Sequence, residues 1–227
     1  MTDPILPRHG GRVLADQLRI QDVDTIFGVP GESFLALLDG LYEHRNAIKV
    51  VTTRQEGGAS NMADAYGKLT GKVGVCAVTR GPGATNASIG VHTAFQDSTP
   101  MLLLIGQVAR DQVDREAFQE IDYRRMFGEM AKWVAQIDDA NRIPEYISHA
   151  FHVAQSGRPG PVVLALPEDM LRDVVEIADA PRAKIVQASP SAIAMDELRD
   201  RLGKAERPLL LLGGPTWTAA AVADITR

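Results

Sequence analysis

Three stretches of this chain gather glycine, proline and polar side chains as a small-molecule site would: Gly28-Val29-Pro30-Gly31-Glu32, Arg54-Gln55-Glu56-Gly57-Gly58 and Thr79-Arg80-Gly81-Pro82-Gly83-Ala84-Thr85-Asn86. Glycine allows close backbone approach to a ligand. Glu56 offers a carboxylate for acid–base work. Its plain alternative is a helix-start carboxylate favoured by the macrodipole. For Gly81 to Asn86 the alternative is an ordinary strand-to-helix turn capped by Thr85 or Asn86. Other chemistries lack their residues. The sequence holds no GxSxG elbow, no Walker A loop and no HExxH pair. Gly28-Val29-Pro30-Gly31 does not supply the GxGxxG of a dinucleotide site. His149 and His152 share a helix at i, i+3, but no acidic ligand follows them, so no metal site is expected. Cys76, the only cysteine, lies inside the apolar run Val73–Val78 and reads as a small core residue.

The elements around these stretches alternate. Val13, Leu14 and Leu18 share one helical face after Gly10-Gly11. Thr25–Phe27 reads as a short strand ending in the first turn. Phe34, Leu35, Leu38 and Leu41 follow at helical spacing, with Ser33 as N-cap. Ile48–Thr52 is a β-branched strand. Glu56–Leu69 is a helix packed through Ala59, Met62, Ala63 and Tyr66. Val73–Val78, Met101–Ile105 and Pro161–Leu166 are continuous apolar runs, as strands covered on both faces should be. Ile143, Tyr146, Ile147 and Ala150 stripe a helix that stops at Gly157. This pattern predicts an α/β fold: a parallel sheet of about six strands with helices on both faces. Ligands of such sheets bind at the carboxyl ends of the strands, where all three stretches fall.

Residues 1–172 are expected to form this domain and 173–190, broken by Pro181 and Pro190, a linker. Residues 191–227 read as the truncated start of a second α/β domain, with a helix through Leu198 and Leu202 and a strand at Leu209–Leu212. The formal net charge of −5, with no basic run, argues against a nucleic-acid partner. No apolar stretch approaches the ~18 residues that span a bilayer. Met1-Thr2-Asp3-Pro4 carries no basic-then-apolar leader, so a cytoplasmic location without membrane attachment is expected.

Taken in order, Phe27–Gly31, Arg54–Ala59 and Val78–Asn86 resemble the pyrimidine-binding domain of thiamine-diphosphate-dependent enzymes. Gly106-Gln107-Val108, Glu116–Glu120 and Ser156–Pro161 extend the likeness. Their spacing is most similar to the acetolactate synthase large-subunit branch, over residues 11–172. The resemblance implies the thiamine-diphosphate-binding fold and a site between two self-associated subunits. It implies decarboxylation of a small 2-oxo acid followed by carboligation. The cofactor does the carbon chemistry, and the protein supplies placement and one tuned acid. By resemblance that acid is Glu56, hydrogen-bonded to the pyrimidine N1′. Burial beside the cofactor would raise its pKa and the helix dipole would lower it. Val29, Pro30, Gly31, Pro82, Gly83, Asn86 and Gln119 are carried over as cofactor neighbours. Glu32, Phe118, Gln119 and Lys132 are carried over as the substrate end. Mg2+ would enter through a C-terminal domain that these residues do not include, so this stretch alone is expected to be inactive.

Three positions depart from the family pattern. Gln55 replaces a histidine, Arg80 replaces a serine, and Glu32 stands where relatives carry Gly, Ser or Asp. A carboxylate at Glu32 could relay protons in a simple 2-oxo acid decarboxylase, or repel the second anionic substrate that carboligation needs. That decarboxylase stays open as an alternative, as does a non-catalytic dimerisation or regulatory module. Gly213-Gly214-Pro215 leaves an accessory FAD open too, since Pro215 removes a backbone donor from the turn.

Overall fold

A computed structural model describes residues 6–186, 188–214 and 217–226. The elements are β1 (Arg8–His9), α1 (Gly10–Ile20), β2 (Thr25–Gly28), α2 (Leu35–Glu43), β3 (Lys49–Thr52), α3 (Glu56–Thr70), β4 (Gly74–Val78) and α4 (Pro82–Asp97). There follow β5 (Met101–Gln107), α5 (Tyr123–Phe127), β6 (Trp133–Gln136), α6 (Ile143–Gln155), β7 (Pro161–Pro167), β8 (Val174–Val175), α7 (Ala192–Lys204) and α8 (Ala219–Ile225).

The main sheet is six-stranded, in the order β3-β2-β4-β5-β7-β6, and every pairing is parallel. Its side chains sort by the two-residue period of a strand. Val75, Ala77, Leu102, Leu104, Val162 and Leu164 pack with α1 and α6 on one face. Cys76, Val78, Leu103, Ile105, Val163 and Ala165 pack with α3 and α4 on the other. The expected parallel sheet with helices on both faces is therefore present. Its sixth strand, β6, is a half-buried edge strand that the apolar runs do not announce.

The chain leaves β2 for β3 on one side and returns to β4 on the other. That reversal is the point at which open parallel sheets leave a crevice beyond their carboxyl ends. The loops after β2, β3 and β4 all open there.

Some expectations change. Ser33 does not cap α2. It is buried in a 3-10 turn, Glu32–Phe34, and its Oγ bonds Thr79 Oγ1 at 2.8 Å. Met62 is exposed rather than packed. The first part of 173–190 is held against the domain: β8 pairs with β1, Arg8 Nη2 donates to the Ile177 carbonyl at 2.7 Å, and the Ala183 amide donates to Gln21 Oε1 at 2.9 Å. Leu209–Leu212 forms no strand and is exposed, because no described strand pairs with it and no apolar surface covers it. The leader positions Met1–Pro4 and the turn residue Pro215 lie outside the described residues. No described helix is long and apolar enough to cross a membrane.

Candidate functional site

Helix α3 starts at Glu56, and the preceding residue makes that start possible. Gln55 is extended, and its Oε1 accepts the Gly58 amide at 3.0 Å, so the cap leaves the Glu56 carboxylate unused. This is also what the structure gives Gln55 to do at the position where a histidine relay would stand. The Thr53 amide donates to the Gly28 carbonyl at 2.9 Å, which ties the second loop to the first.

The Glu56 carboxylate is half-buried, and Asn86 Nδ2 donates to its Oε2 at 3.0 Å. Glu56 opens α3, where the aligned amide dipoles favour negative charge, and Asn86 lies at the start of the second turn of α4. Oε1 faces Gly83: a Cβ built there would come within 3.6 Å of it, and within 2.9 Å of Thr79 Cγ2. A side chain at 83 would collide with Thr79, so glycine is what lets the turn lie this close to the carboxylate. Beneath lies fully buried Cys76, whose thiol is pushed well up by burial and, secondly, by the Glu56 charge.

The turn into α4 is shaped by Gly81. Its φ of 60° lies in the left-handed region, and a Cβ would strike Gln119 Cβ at 2.6 Å and the Gln119 carbonyl at 2.9 Å. Its buried amide donates to the Tyr123 hydroxyl at 2.8 Å. Burial is the main reason that the Tyr123 phenol is pushed up to about 12, with the Gly81 bond and the Arg80 charge opposing it. Pro82 opens α4 at a position whose amide would lack a helical partner in any case, and its ring is exposed. Thr85 Oγ1 donates back to the Gly81 carbonyl, so neither Thr85 nor Asn86 is the cap.

The first loop meets the third. Gly31 approaches Thr79 so closely that a Cβ would stand 2.6 Å from Thr79 Cβ. Val29 and Pro30 line a narrow apolar crevice with Phe34, Leu38 and Val50. It opens on the α2 side of the sheet, whereas Glu56 and Asn86 open on the α3–α4 side. Gln119 is half-buried against Gly81, and its neighbour Phe118 is 77% exposed. The structure therefore assembles Glu56, Gly83, Asn86, Pro82 and Gln119 around one turn.

Two expected substrate residues are placed apart. Glu32 is exposed and faces a separate depression of about 420 Å3, shared with Asp39, Glu168 and Arg172. Lys132 precedes β6 and pairs with the first residue of β7, so it occupies the amino-terminal edge of the sheet, opposite the loops. Its Nζ donates to the Val153 carbonyl and, at 2.7 Å, to the Ser156 carbonyl, and burial lowers its pKa. A lysine tied to the end of α6 is not brought to the Glu56 cluster.

Tyr123 and the Arg80–Glu168 pair were not found by spacing. Arg80 Nη1 bonds Glu168 Oε2 at 2.9 Å across 88 residues. The one available signal was Asp122, whose carboxylate caps the short helix that Tyr123 begins.

Comparison with known proteins puts this geometry in context. Residues 8–126 match the family model described as thiamine pyrophosphate enzyme, N-terminal TPP binding domain. The chain is 36% identical over 226 residues to a probable acetolactate synthase large subunit of Methanococcus aeolicus, covering 96% of this chain and 37% of that protein. It is 37% identical over 226 residues to the acetolactate synthase of Arthrospira platensis, covering 95% of this chain and 39% of that one. Against the acetolactate synthase isozyme 2 large subunit of Escherichia coli K12 the identity is 34% over 224 residues, with 94% and 39% covered. The chain thus spans well under half the length of these relatives.

Proposed function

This chain belongs to the thiamine pyrophosphate enzymes through their N-terminal TPP binding domain, and on that footing we propose that its cleft holds the aminopyrimidine of thiamine diphosphate, with Glu56 as the proton-exchanging group at N1′. The observation that carries the proposal is the half-buried Glu56 carboxylate at the start of α3, steadied by Asn86 at 3.0 Å beside the Gly81–Gly83 turn.

The residues fit such a ring. A carboxylate suits a ring nitrogen that must gain and lose a proton. Gly83, where a side chain would collide with Thr79, lets the turn backbone lie close beside the carboxylate. The exposed Pro82 ring offers an apolar face, and Gln119 stands beside the turn. When bound, thiamine diphosphate supplies the nucleophilic carbon that attacks a 2-oxo acid. Glu56 exchanges a proton at N1′, Asn86 holds the carboxylate in place, and the first turn of α3 favours its charge.

The whole reaction in this reading is decarboxylation of a small 2-oxo acid followed by carboligation, supported by the names of the relatives. The diphosphate and its Mg2+ would be held by residues outside these 227. Among the described residues no group of three or more His, Cys, Asp or Glu side chains could hold a metal ion. A second copy would close the cleft. The exposed apolar side chains Met62 and Leu69 on α3 and Ile89 on α4 support self-association through these helices. An accessory FAD belongs to the same reading, on the resemblance alone. Simple 2-oxo acid decarboxylation is the second reading, on the resemblance alone.

The test is C2–H exchange of bound cofactor, followed by proton NMR in the complete enzyme. Glu56→Gln should slow exchange by about 10²- to 10⁴-fold, the worth of a placed acid–base group. Exchange at the wild-type rate would remove Glu56 from its role. Products from pyruvate separate the two catalytic readings: acetolactate for carboligation, acetaldehyde for decarboxylation.

A further inference from the structure

We propose that Arg80 is a positioning residue that sets the loop carrying Phe118 and Gln119 against the Gly81 turn, and so shapes the substrate end of the cleft; this rests on the cofactor reading above.

The loop from Val113 to Asp122 has no regular structure, and it is costly to hold. Asp114, Glu116 and Gln119 all adopt positive φ, at 62°, 54° and 67°, without being glycine. Phe118 buries little of its ring, so apolar packing does not hold the tip. The base closes on itself: Glu120 accepts the Asp114 amide at 2.8 Å and the Ala117 amide at 3.2 Å, and the Glu120 amide donates to the Ala117 carbonyl at 3.0 Å. Those bonds shape the loop but do not attach its tip to the domain.

Arg80 makes that attachment. Its Nε donates to the Phe118 carbonyl at 3.2 Å, and Nη1 bonds Glu168 Oε2 at 2.9 Å. The Arg80 amide donates to Ser33 Oγ at 3.4 Å, and Ser33 is joined to Thr79. One planar guanidinium thus links the carboxyl end of β4, the loop after β5 and the residue that follows β7. Its side chain is 14% exposed, so the donors are fixed rather than solvated. Arginine suits this because its several N–H groups diverge in a rigid fork; a serine at this position could reach neither partner, and a lysine has one nitrogen to share. With the Phe118 carbonyl held, Gln119 is pressed against Gly81 and the Phe118 ring is turned outward into solvent.

The test uses the holoenzyme. In Arg80→Ser, hydrogen exchange at the amides of residues 114–120 should rise about tenfold or more, and KM for the 2-oxo acid should rise about tenfold with kcat changed far less, as loss of a charge-assisted bond would give. Arg80→Lys should recover less than half of both effects. Unchanged exchange across the loop, or an unchanged KM, would overturn the proposal. Should Arg80→Ser fail to fold, Glu168→Gln weakens the anchor without opening the turn. A rise of about threefold in loop exchange then supports the proposal, and no rise overturns it. The two readings fail separately. If Glu56→Gln leaves cofactor C2–H exchange intact, the cofactor reading falls, while loop exchange still decides what Arg80 does.

Discussion

Asn86 donates its carboxamide to Glu56 at 3.0 Å, joining the first residue of α3 to the fifth of α4, two helices that begin 26 residues apart in sequence. The bond fixes one oxygen of a half-buried carboxylate and leaves the other towards Gly83. It turns a helix-start glutamate into an oriented group.

Asn86→Ala should therefore act through Glu56. Loss of a hydrogen bond to a charged group costs about 1.5–3 kcal/mol where it is buried, and the partly exposed site should show the lower part of that range. Cofactor C2–H exchange should fall roughly tenfold, less than for Glu56→Gln, while unfolding stability falls by no more than that ~1.5 kcal/mol. An exchange rate equal to wild type would mean that Asn86 does not orient the carboxylate.

Tyr123→Phe leaves the buried Gly81 amide without its acceptor. The expected loss is about 1–3 kcal/mol in denaturant unfolding, the cost of an unsatisfied buried donor. Gly81→Ala should cost at least as much, because it adds left-handed strain to a collision with Gln119. Both variants are measured by urea midpoint; values within about 0.5 kcal/mol of wild type would contradict this account of the turn.

The Asp16 cluster predicts acid sensitivity. Burial tends to raise the Asp16 pKa, but bonds from His44 at 2.5 Å, Arg8 at 2.6 Å and Arg12 at 3.0 Å outweigh it and hold it below the ordinary 3.8. A carboxylate depressed on folding adds stability above the unfolded value. That stability is lost as pH falls through 3.8 towards the lower folded value. Stability–pH curves of wild type and Asp16→Asn should converge in that window, with the variant weaker above it. Parallel curves would show that the cluster does not contribute this dependence.

Lys132→Ala should weaken the end of α6 and leave substrate handling alone. A loss of about 1–3 kcal/mol in stability is expected from the two carbonyls it serves. KM for the 2-oxo acid should stay within about twofold, a change worth less than ~0.5 kcal/mol. A large rise in KM with unchanged stability would instead support the substrate role expected of Lys132 from the sequence.

Cys76 should resist thiol reagents in the folded protein. Its thiol is fully buried, and both burial and the neighbouring Glu56 charge oppose thiolate formation. Rapid labelling under native conditions, before any unfolding, would show that the floor of the site opens.

The residues alone determined much of this protein. Val73–Val78, Met101–Ile105 and Pro161–Leu166 are apolar throughout, and a strand buried on both faces has no other composition available to it. Those runs, with helical stripes between them, are enough for a parallel α/β sheet, and the clustering of glycine, proline and polar residues at the strand ends marks the site's edge. Local pattern could not decide contacts made across the sheet. Trp133–Gln136 became a strand because β7 lies beside it, while the more apolar Leu209–Leu212 did not, since a strand needs a partner for its amides. Ser33 has the chemistry of a cap, yet the nearness of Thr79 gives it another bond. Lys132 and Glu56 lie on opposite edges because parallel strands put every amino end on one side. Arg80 reaches Phe118 and Glu168 only once three strand ends converge. Such distances depend on how the strands are ordered, and strand order is set by packing of the whole domain, which no short stretch of sequence carries.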